Sequence, residues 1–161
     1  MSDALHITFV CSGNICRSPM AEKMFARQIL DRGLSGRVRV SSAGTGSWHA
    51  GDGADGRANR VLKSHGYPTE HVAAQVDDDH LGADLVVALG RNHVRLLTEL
   101  GVEPERIRML RSFDPRSGVH ALDVEDPYYG DLADFEDVFA VIEASLPGLH
   151  AWVDDQLGAQ P

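Results

Sequence analysis

Cysteine is scarce in this sequence, which has only two among its 161 residues, and both lie near the start. Cys11 and Cys16 are five residues apart, so no disulfide framework is expected, and this usage favours a reducing, cytoplasmic location. No stretch approaches the ~20 consecutive apolar residues that a membrane helix requires. Asp3 is acidic where a signal peptide would be cationic, so we expect no such peptide, although the sequence does not decide against export without one.

Positive charge is also in short supply. The 15 lysines and arginines face 24 aspartates and glutamates, which gives a formal net charge of -9. This balance argues against nucleic acid or an anionic membrane as a partner. Histidine, cysteine and carboxylate residues nowhere show metal-ligand spacing, so we expect neither a metal nor another cofactor. With no repeats, low-complexity tracts or linkers, the length predicts a single domain over 1–161.

Short apolar or alternating segments recur between segments of helical periodicity. Strands are predicted at 5–10, 37–42, 83–89 and 106–110. The first helix is predicted to have Ser18 as its N-cap and Pro19 as its first residue. Further helices are predicted over 55–65, along a stripe of His93, Leu96, Leu97 and Leu100, and from Asp131 or Asp134 to a break at Pro147-Gly148. This alternation predicts an α/β fold with a parallel sheet and helices on both faces.

The segment Cys-Ser-Gly-Asn-Ile-Cys-Arg-Ser at 11–18 joins the first strand to the first helix. Gly13 and Asn14 tolerate positive φ, so the peptide N–H groups of this loop can converge on an anion at the positive end of the helix. In that setting Cys11 is expected to be a thiolate, which is a nucleophile. The planar fork of Arg17 fits two oxygens of a phosphoryl group. Each residue alone has an ordinary structural explanation, but the Cys-x5-Arg-Ser spacing predicts a phosphate-binding loop.

This loop resembles that of the low-molecular-weight protein tyrosine phosphatases, and Glu-Asp-Pro-Tyr-Tyr-Gly at 125–130 resembles that family's acid loop. Ser-Ser-Ala-Gly at 41–44, His71 and Ser-Phe-Asp-Pro at 112–115 also match, in the same order. The chain is similar to the bacterial, actinobacterial branch of the family. The resemblance implies a single-domain, three-layer, doubly wound α/β fold with a central four-stranded parallel sheet, and protein-tyrosine-phosphatase activity.

The resemblance also implies a role for each site residue. Cys11 attacks phosphorus to form a phosphocysteine, Arg17 binds the phosphoryl group, and Asp126 serves as general acid and then as base. Residues implied to bind phosphate or substrate are Ser12, Gly13, Asn14, Ile15, Cys16, Ser18, Trp48, Tyr128 and Tyr129. Supporting residues are Ser42, His71 and Pro127. The implied partners are phosphotyrosine proteins, a cognate tyrosine kinase acting on the paired tyrosines, and phosphate or other oxyanions, with the enzyme a monomer.

Several readings stay open at this stage. Trp48, in the glycine-rich stretch 43–53, could form a wall for an aromatic substrate or plug the loop onto the body. Oxidised Cys11 could form a reversible disulfide with Cys16. Many relatives carry an aspartate where this chain has Gly90, so whatever that carboxylate orders is in doubt. The family's Asp-x-Arg pair, which borders the site, is present at 55–57.

Three other functions compete with tyrosine phosphatase activity. Thiol-dependent arsenate reductases share the Cys-x5-Arg loop but relay oxidation to further cysteines, and none follows Cys16. Protein arginine phosphatases carry threonine in place of Ile15 and lack the paired tyrosines. A non-catalytic phosphotyrosine-binding module would require neither Cys11 nor Asp126.

Overall fold

The computed structural model of the chain describes residues 4–117 and 122–159. Four strands form one sheet with the order β2-β1-β3-β4, and every neighbouring pair is parallel. The strands are β1 (Leu5–Cys11), β2 (Val38–Gly44), β3 (Leu85–Ala88) and β4 (Ile107–Met109). The predicted four-stranded parallel sheet is confirmed, with each strand within two residues of its predicted start.

Helices cover both faces of this sheet. They are α1 (Arg17–Asp31), α2 (Gly56–Ser64), α3 (Asp78–Leu81), α4 (Arg91–Glu99) and α5 (Leu132–Ala159). Alternate residues of β3 face opposite sides: Leu85 and Val87 join the core under α1, α2 and α5, whereas Val86 and Ala88 join the core under α4. The three-layer arrangement is therefore confirmed. Within the part of the chain described here, no helix combines the length and apolarity needed to cross a membrane.

The first helix begins two residues earlier than predicted. Its N-cap is Cys16 and its first residue is Arg17, so the expectation that Ser18 caps the helix was wrong. The Ser18 hydroxyl instead lies against the sulfur of Cys11. Pro19 is then the third helical residue, where its missing N–H has little effect because the first four N–H groups have no partner within the helix.

The predicted stripe on α4 was half wrong. His93 and Leu97 are fully buried, but Leu96 and Leu100 are 38% and 51% exposed. Only the ridge formed by the two residues four apart lies against the sheet, and Leu100 already lies beyond the last helical residue.

The last helix runs through Pro147, so the predicted break at Pro147-Gly148 was wrong. A proline inside a helix costs about 3 kcal/mol because it removes a hydrogen bond and crowds the preceding turn. Leu146, Leu149 and Val153, on both sides of the proline, are nevertheless fully buried in one core. Each such side chain contributes roughly 1.5–3 kcal/mol, so continuing the helix outweighs the cost of the proline.

Gly148 serves close packing rather than helix termination. A Cβ at this position would lie 2.1 Å from the carbonyl oxygen of Phe113. Gly148→Ala is therefore expected to lower the free energy of unfolding by about 1–3 kcal/mol. Gly158, in the same helix, has nothing within 4 Å of its Cβ position, so Gly158→Ala should leave stability unchanged or raise it by up to about 1 kcal/mol. Urea denaturation of both variants measures the difference, and equal effects would contradict this packing.

Candidate active site

The loop between β1 and α1 curls around a cavity at the carboxyl edge of the sheet. Asn14 has φ 58°, as predicted for a left-handed turn residue. Gly13 does not have positive φ, so that part of the prediction was wrong. Its lack of a side chain matters for another reason: a Cβ there would lie 3.1 Å from Cδ2 of His49. The loop thus requires a residue that adopts a left-handed conformation at position 14 and a residue without a side chain at position 13.

The buried side chain of Asn14 fixes the loop to the rest of the fold. Its amide nitrogen donates to the hydroxyls of Ser18 (2.8 Å) and Ser42 (2.9 Å), and its amide oxygen accepts from the N–H of Ala74 (3.0 Å). The main-chain carbonyl oxygen of Asn14 lies 2.8 Å from Nε2 of His71, within hydrogen-bond distance. Two of the predicted supporting residues, Ser42 and His71, therefore lie around Asn14 together with Ser18, and each stabilises the loop from behind. Pro127 is not part of this network.

Glu22 completes this network and was missed by the sequence analysis. The Ser42 hydroxyl donates to its carboxylate, and Nδ1 of His71 lies 3.9 Å from the same group. Burial lowers the pKa of His71, so the ring is neutral at neutral pH. A carbonyl oxygen only accepts, so the proton is on Nε2 and is donated to Asn14. The only sequence signal for Glu22 is its position one turn after Ser18 on α1.

Ser18 is arranged to donate a hydrogen bond to the sulfur of Cys11. The sulfur of Cys11 lies 2.9 Å from the Ser18 oxygen, which already accepts a hydrogen bond from Asn14. The Ser18 proton is therefore free to point at the sulfur, where it stabilises a thiolate. Cys16 differs, because burial raises its pKa to about 12 and keeps the thiol protonated. Both cysteines are free thiols in the structure.

The guanidinium of Arg17 is held in place by other groups of the protein. The residue is only 7% exposed, and Nη1 donates to the carbonyl of Val124 at 3.0 Å. Its Nη2 lies 3.5 Å from the hydroxyl of Ser12 and 3.6 Å from Oδ2 of Asp126. One nitrogen of the guanidinium, Nη1, is thus fixed by the backbone, and the other, Nη2, faces the cavity on the side of Asp126.

The two oxygens of Asp126 have different environments. Oδ1 accepts a hydrogen bond from the N–H of Tyr128 at 3.1 Å, whereas Oδ2 faces Arg17. Oδ2 is consequently the oxygen available to carry a proton toward the cavity. Pro127, which follows, is buried and lines a neighbouring groove rather than the cavity.

Arg57 anchors the acid loop to α2. Its Nη1 donates to the carbonyl of Gly130 at 2.8 Å and its Nη2 to the carbonyl of Tyr128 at 2.9 Å. Asp55 binds the same guanidinium and also caps α2. The hydrogen bond from Arg57 lowers the pKa of Asp55, so the pair stays ionised well below neutral pH.

Removing this anchor should impair turnover without changing the phosphate loop. Arg57→Ala is expected to lower kcat about 10-fold, because the loop that carries the carboxyl group is no longer held within a fraction of an ångström of its position. Arg60→Ala, an exposed position on the same helix, is the matched control and should stay within about twofold. Steady-state kinetics with a phosphotyrosine peptide, whose leaving group needs the proton, measure both variants, and a drop confined to 1/KM would contradict the anchoring role.

Aromatic side chains form the rim of the cavity, which has a volume of about 370 Å³. Trp48 is 74% exposed and lines the cavity, so its ring is not buried against the body of the protein, and a Cβ on Gly46 would lie 2.0 Å from it. Tyr129 is 95% exposed, and its ring centroid lies 5.0 Å from that of Tyr128. His49, which the sequence analysis did not select, also lines the cavity, 6.2 Å from the Tyr128 ring. The rim can therefore contact both faces of a flat ring.

The structure places most of the predicted site residues in this cavity. Those that line it are Cys11, Ser12, Gly13, Ile15, Cys16, Arg17, Trp48, Asp126, Tyr128 and Tyr129. Asn14, Ser18, Ser42 and His71 lie behind the loop. Over residues 4–117 and 122–159, no group of histidine, cysteine or carboxylate side chains is arranged to hold a metal ion. A thiol, a guanidinium and a carboxyl group on one cavity suit transfer of a phosphoryl group to sulfur.

Comparison with known proteins agrees with this chemistry. Residues 6–159 match the family model described as low molecular weight phosphotyrosine protein phosphatase. The chain is 73% identical to low molecular weight protein-tyrosine phosphatase A of Mycobacterium tuberculosis, over 98% of this chain and 96% of that protein. A crystal structure of a protein tyrosine phosphatase from Entamoeba histolytica superposes with a TM-score of 0.88 at 29% identity, covering 95% of this chain and 99% of that one.

The fold is shared with phosphatases of another substrate class. A Drosophila arginine phosphatase superposes with a TM-score of 0.82 at 27% identity, covering 91% of this chain and 96% of that one. The 73% identity to the mycobacterial tyrosine phosphatase is much greater than the 27% identity to this arginine phosphatase. The chain therefore belongs to the low molecular weight phosphotyrosine protein phosphatase family.

Proposed function

We propose that this chain hydrolyses phosphotyrosine in proteins through a phosphocysteine formed on Cys11, with Arg17 binding the phosphoryl group and Asp126 transferring protons. Family membership makes it a protein-tyrosine phosphatase, a hydrolase that acts on phosphoproteins. The observation that carries the residue assignment is the convergence of these three side chains on one aromatic-rimmed cavity.

In the first step, the Cys11 thiolate attacks phosphorus and the bond from phosphorus to the tyrosine oxygen breaks. The departing phenolate takes a proton from Oδ2 of Asp126. Arg17 Nη2 lies 3.6 Å from Oδ2 of Asp126, and a bound phosphoryl dianion competes with this carboxyl group for the guanidinium, which leaves Oδ2 able to hold the proton. The backbone N–H groups of 12–17 and the Arg17 fork stabilise the equatorial oxygens as charge develops on them.

In the second step, Asp126, now ionised, takes a proton from water as the water oxygen attacks phosphorus. The sulfur–phosphorus bond breaks, inorganic phosphate leaves, and Cys11 returns as a thiolate. Ser18 donates to the sulfur and so makes it a better leaving group in this step. Inorganic phosphate should accordingly act as a product inhibitor, and other oxyanions should compete for the same site.

The cavity favours an aromatic phosphate monoester. Trp48 and Tyr128 line the cavity beside the loop, so a ring attached to the bound phosphate can contact them, whereas phosphoserine has no ring to do so. Ile15 presents an apolar surface to the cavity, which suits a phenyl ring better than a charged guanidine. Peptides of one sequence carrying phosphotyrosine, phosphoarginine or phosphoserine, compared by released phosphate, test the assignment. Faster release from phosphoarginine would overturn it.

The proposal also covers the location of the enzyme, its phosphorylation by a kinase and its oligomeric state. The two free cysteines suit a reducing cytoplasm. The exposed ring of Tyr129 and its neighbour Tyr128 are accessible to a tyrosine kinase, and phosphorylation there would place negative charge at the mouth of the cavity. We propose that the enzyme acts as a monomer, since its cavity is built from one chain.

A further inference from the structure

His93 on α4 is a buried titratable residue that the mechanism above does not use. It is fully buried, and its Nε2 lies 3.0 Å from the hydroxyl oxygen of Ser12 in the phosphate loop. Its other ring nitrogen, Nδ1, has no hydrogen-bond partner within the described part of the chain. A buried polar atom left without a partner calls for an explanation.

The missing partner decides which ring nitrogen carries the proton. Burial, with the nearby charge of Arg17, lowers the pKa of His93 to about 4, so the ring is neutral at pH 7 and bears one N–H. An orphaned buried N–H is rarer than an under-satisfied acceptor. The proton therefore belongs on Nε2, where it is donated to Ser12, and the unpaired atom is the lone pair of Nδ1.

This tautomer fixes the direction of the Ser12 hydroxyl. The oxygen is approached by the Nε2–H of His93 and, at 3.5 Å, by Nη2 of Arg17. A hydroxyl has two acceptor positions and one proton. Because both acceptor positions of the Ser12 oxygen face donors, the hydroxyl proton is directed away from those donors. Ser12 lines the cavity, so this proton is available to an oxyanion bound there.

We propose that His93 is a positioning residue that holds the Ser12 hydroxyl as a donor to the phosphoryl group. The inference rests on the proposed function only for the identity of the bound oxyanion. His93 acts through Ser12 and does not itself touch the substrate.

Gly90 is the feature of this chain that permits the arrangement. A Cβ at position 90 would lie 3.4 Å from Nδ1 of His93 and 2.9 Å from the amide oxygen of Asn92, a side chain free to rotate. An aspartate there could accept a hydrogen bond from Nδ1–H, which would move the ring proton to that nitrogen. Nε2 would then become an acceptor and take the Ser12 proton away from the cavity. The glycine that departs from the family's pattern thus keeps Ser12 a donor.

The tautomer can be measured directly on the full chain by long-range 1H–15N correlation of the histidine rings at pH 7. We expect an Nε2–H tautomer for His93 in the wild type and an Nδ1–H tautomer in Gly90→Asp. Binding of inorganic phosphate, measured by calorimetry, should be about 3- to 10-fold weaker in Gly90→Asp. An Nδ1–H tautomer in the wild type would overturn the proposal. Neither measurement depends on turnover, so failure to hydrolyse phosphotyrosine would be a separate result.

A double-mutant cycle distinguishes positioning from general support of the core. Ser12→Ala and His93→Leu should each weaken phosphate binding about 3- to 10-fold, and the double variant should be no weaker than either. His93→Gln, whose amide can replace the Nε2–H donor, should stay within about twofold of the wild type. Additive losses, or no rescue by glutamine, would overturn the proposal. If circular dichroism shows that His93→Leu does not fold, the Gly90→Asp results decide the question.

Discussion

Replacing Cys11 with serine is expected to reduce turnover of p-nitrophenyl phosphate by at least about 10⁴-fold while the protein still folds and binds phosphate. A serine hydroxyl is far less ionised than a thiol, so no nucleophile remains to attack phosphorus. The rest of the oxyanion site is unchanged, because Arg17 is fixed by Val124 and the loop by Asn14. Calorimetric titration measures phosphate binding by the variant, and steady-state kinetics measure its turnover of p-nitrophenyl phosphate.

Cys16→Ser is the matched control in the same loop. Its thiol is protonated, with a pKa raised to about 12, and cannot serve as the nucleophile. This variant should retain turnover that Cys11→Ser lacks, at a rate reduced by no more than about 10-fold from the change in packing. If Cys16→Ser were the inactive variant, or if Cys11→Ser kept the wild-type rate, the assignment of the nucleophile would be wrong.

Replacing Asp126 with alanine is expected to lower kcat by about 10²- to 10⁴-fold for phosphotyrosine peptides. The loss should be much smaller for p-nitrophenyl phosphate, because p-nitrophenolate departs without needing a proton. This dependence on the leaving group is the signature of a lost general acid, since a general change of site shape would slow both substrates alike.

Glu125 provides the control for charge. It is the preceding residue, carries the same charge, and does not line the cavity. Glu125→Ala should leave kcat within about threefold for both substrates. Equal losses in the two variants would mean that the acidic loop acts through its overall charge rather than through Oδ2 of Asp126.

The phosphate loop could be predicted because its determinants are local. Cys11, Asn14 and Arg17 lie within seven residues, at the junction of a strand and a helix, so their spacing is visible in the sequence. The sheet was predictable for a related reason, since its strands are short apolar or alternating segments. In both cases the sequence signal is local, although the contacts that hold these elements in place join distant residues.

The errors arose where distant packing overrides a local preference. Pro147 has a strong tendency to end a helix, but buried residues on both sides of it hold α5 together. The error at Ser18 has a different cause, because its hydroxyl contacts the side chains of Cys11 and Asn14 in the same loop instead of capping the helix. The residue type at an N-cap position does not show that its hydroxyl has other partners.

His93 and His49 were missed for the same reason. Their contacts with Ser12 and with the rim beside Tyr128 join segments that are far apart in the sequence. Histidine is common on surfaces and in cores alike, so no periodicity or spacing marked either residue as part of the site. Only the completed sheet brings these loops to one edge.

The position of β1 in the middle of the sheet has a consequence for refolding. β1 pairs with β2, the next strand in the chain, and with β3, which follows much later. Closing the shorter loop is entropically cheaper, so we expect the β1-α1-β2 unit to form early, together with Cys11 and Asn14. Val124 and Asp126, which complete the surroundings of Arg17, belong to the last third of the chain. A refolding molecule should therefore bind oxyanions before it can hydrolyse a phosphate monoester. Recovery of phosphate binding should precede recovery of activity.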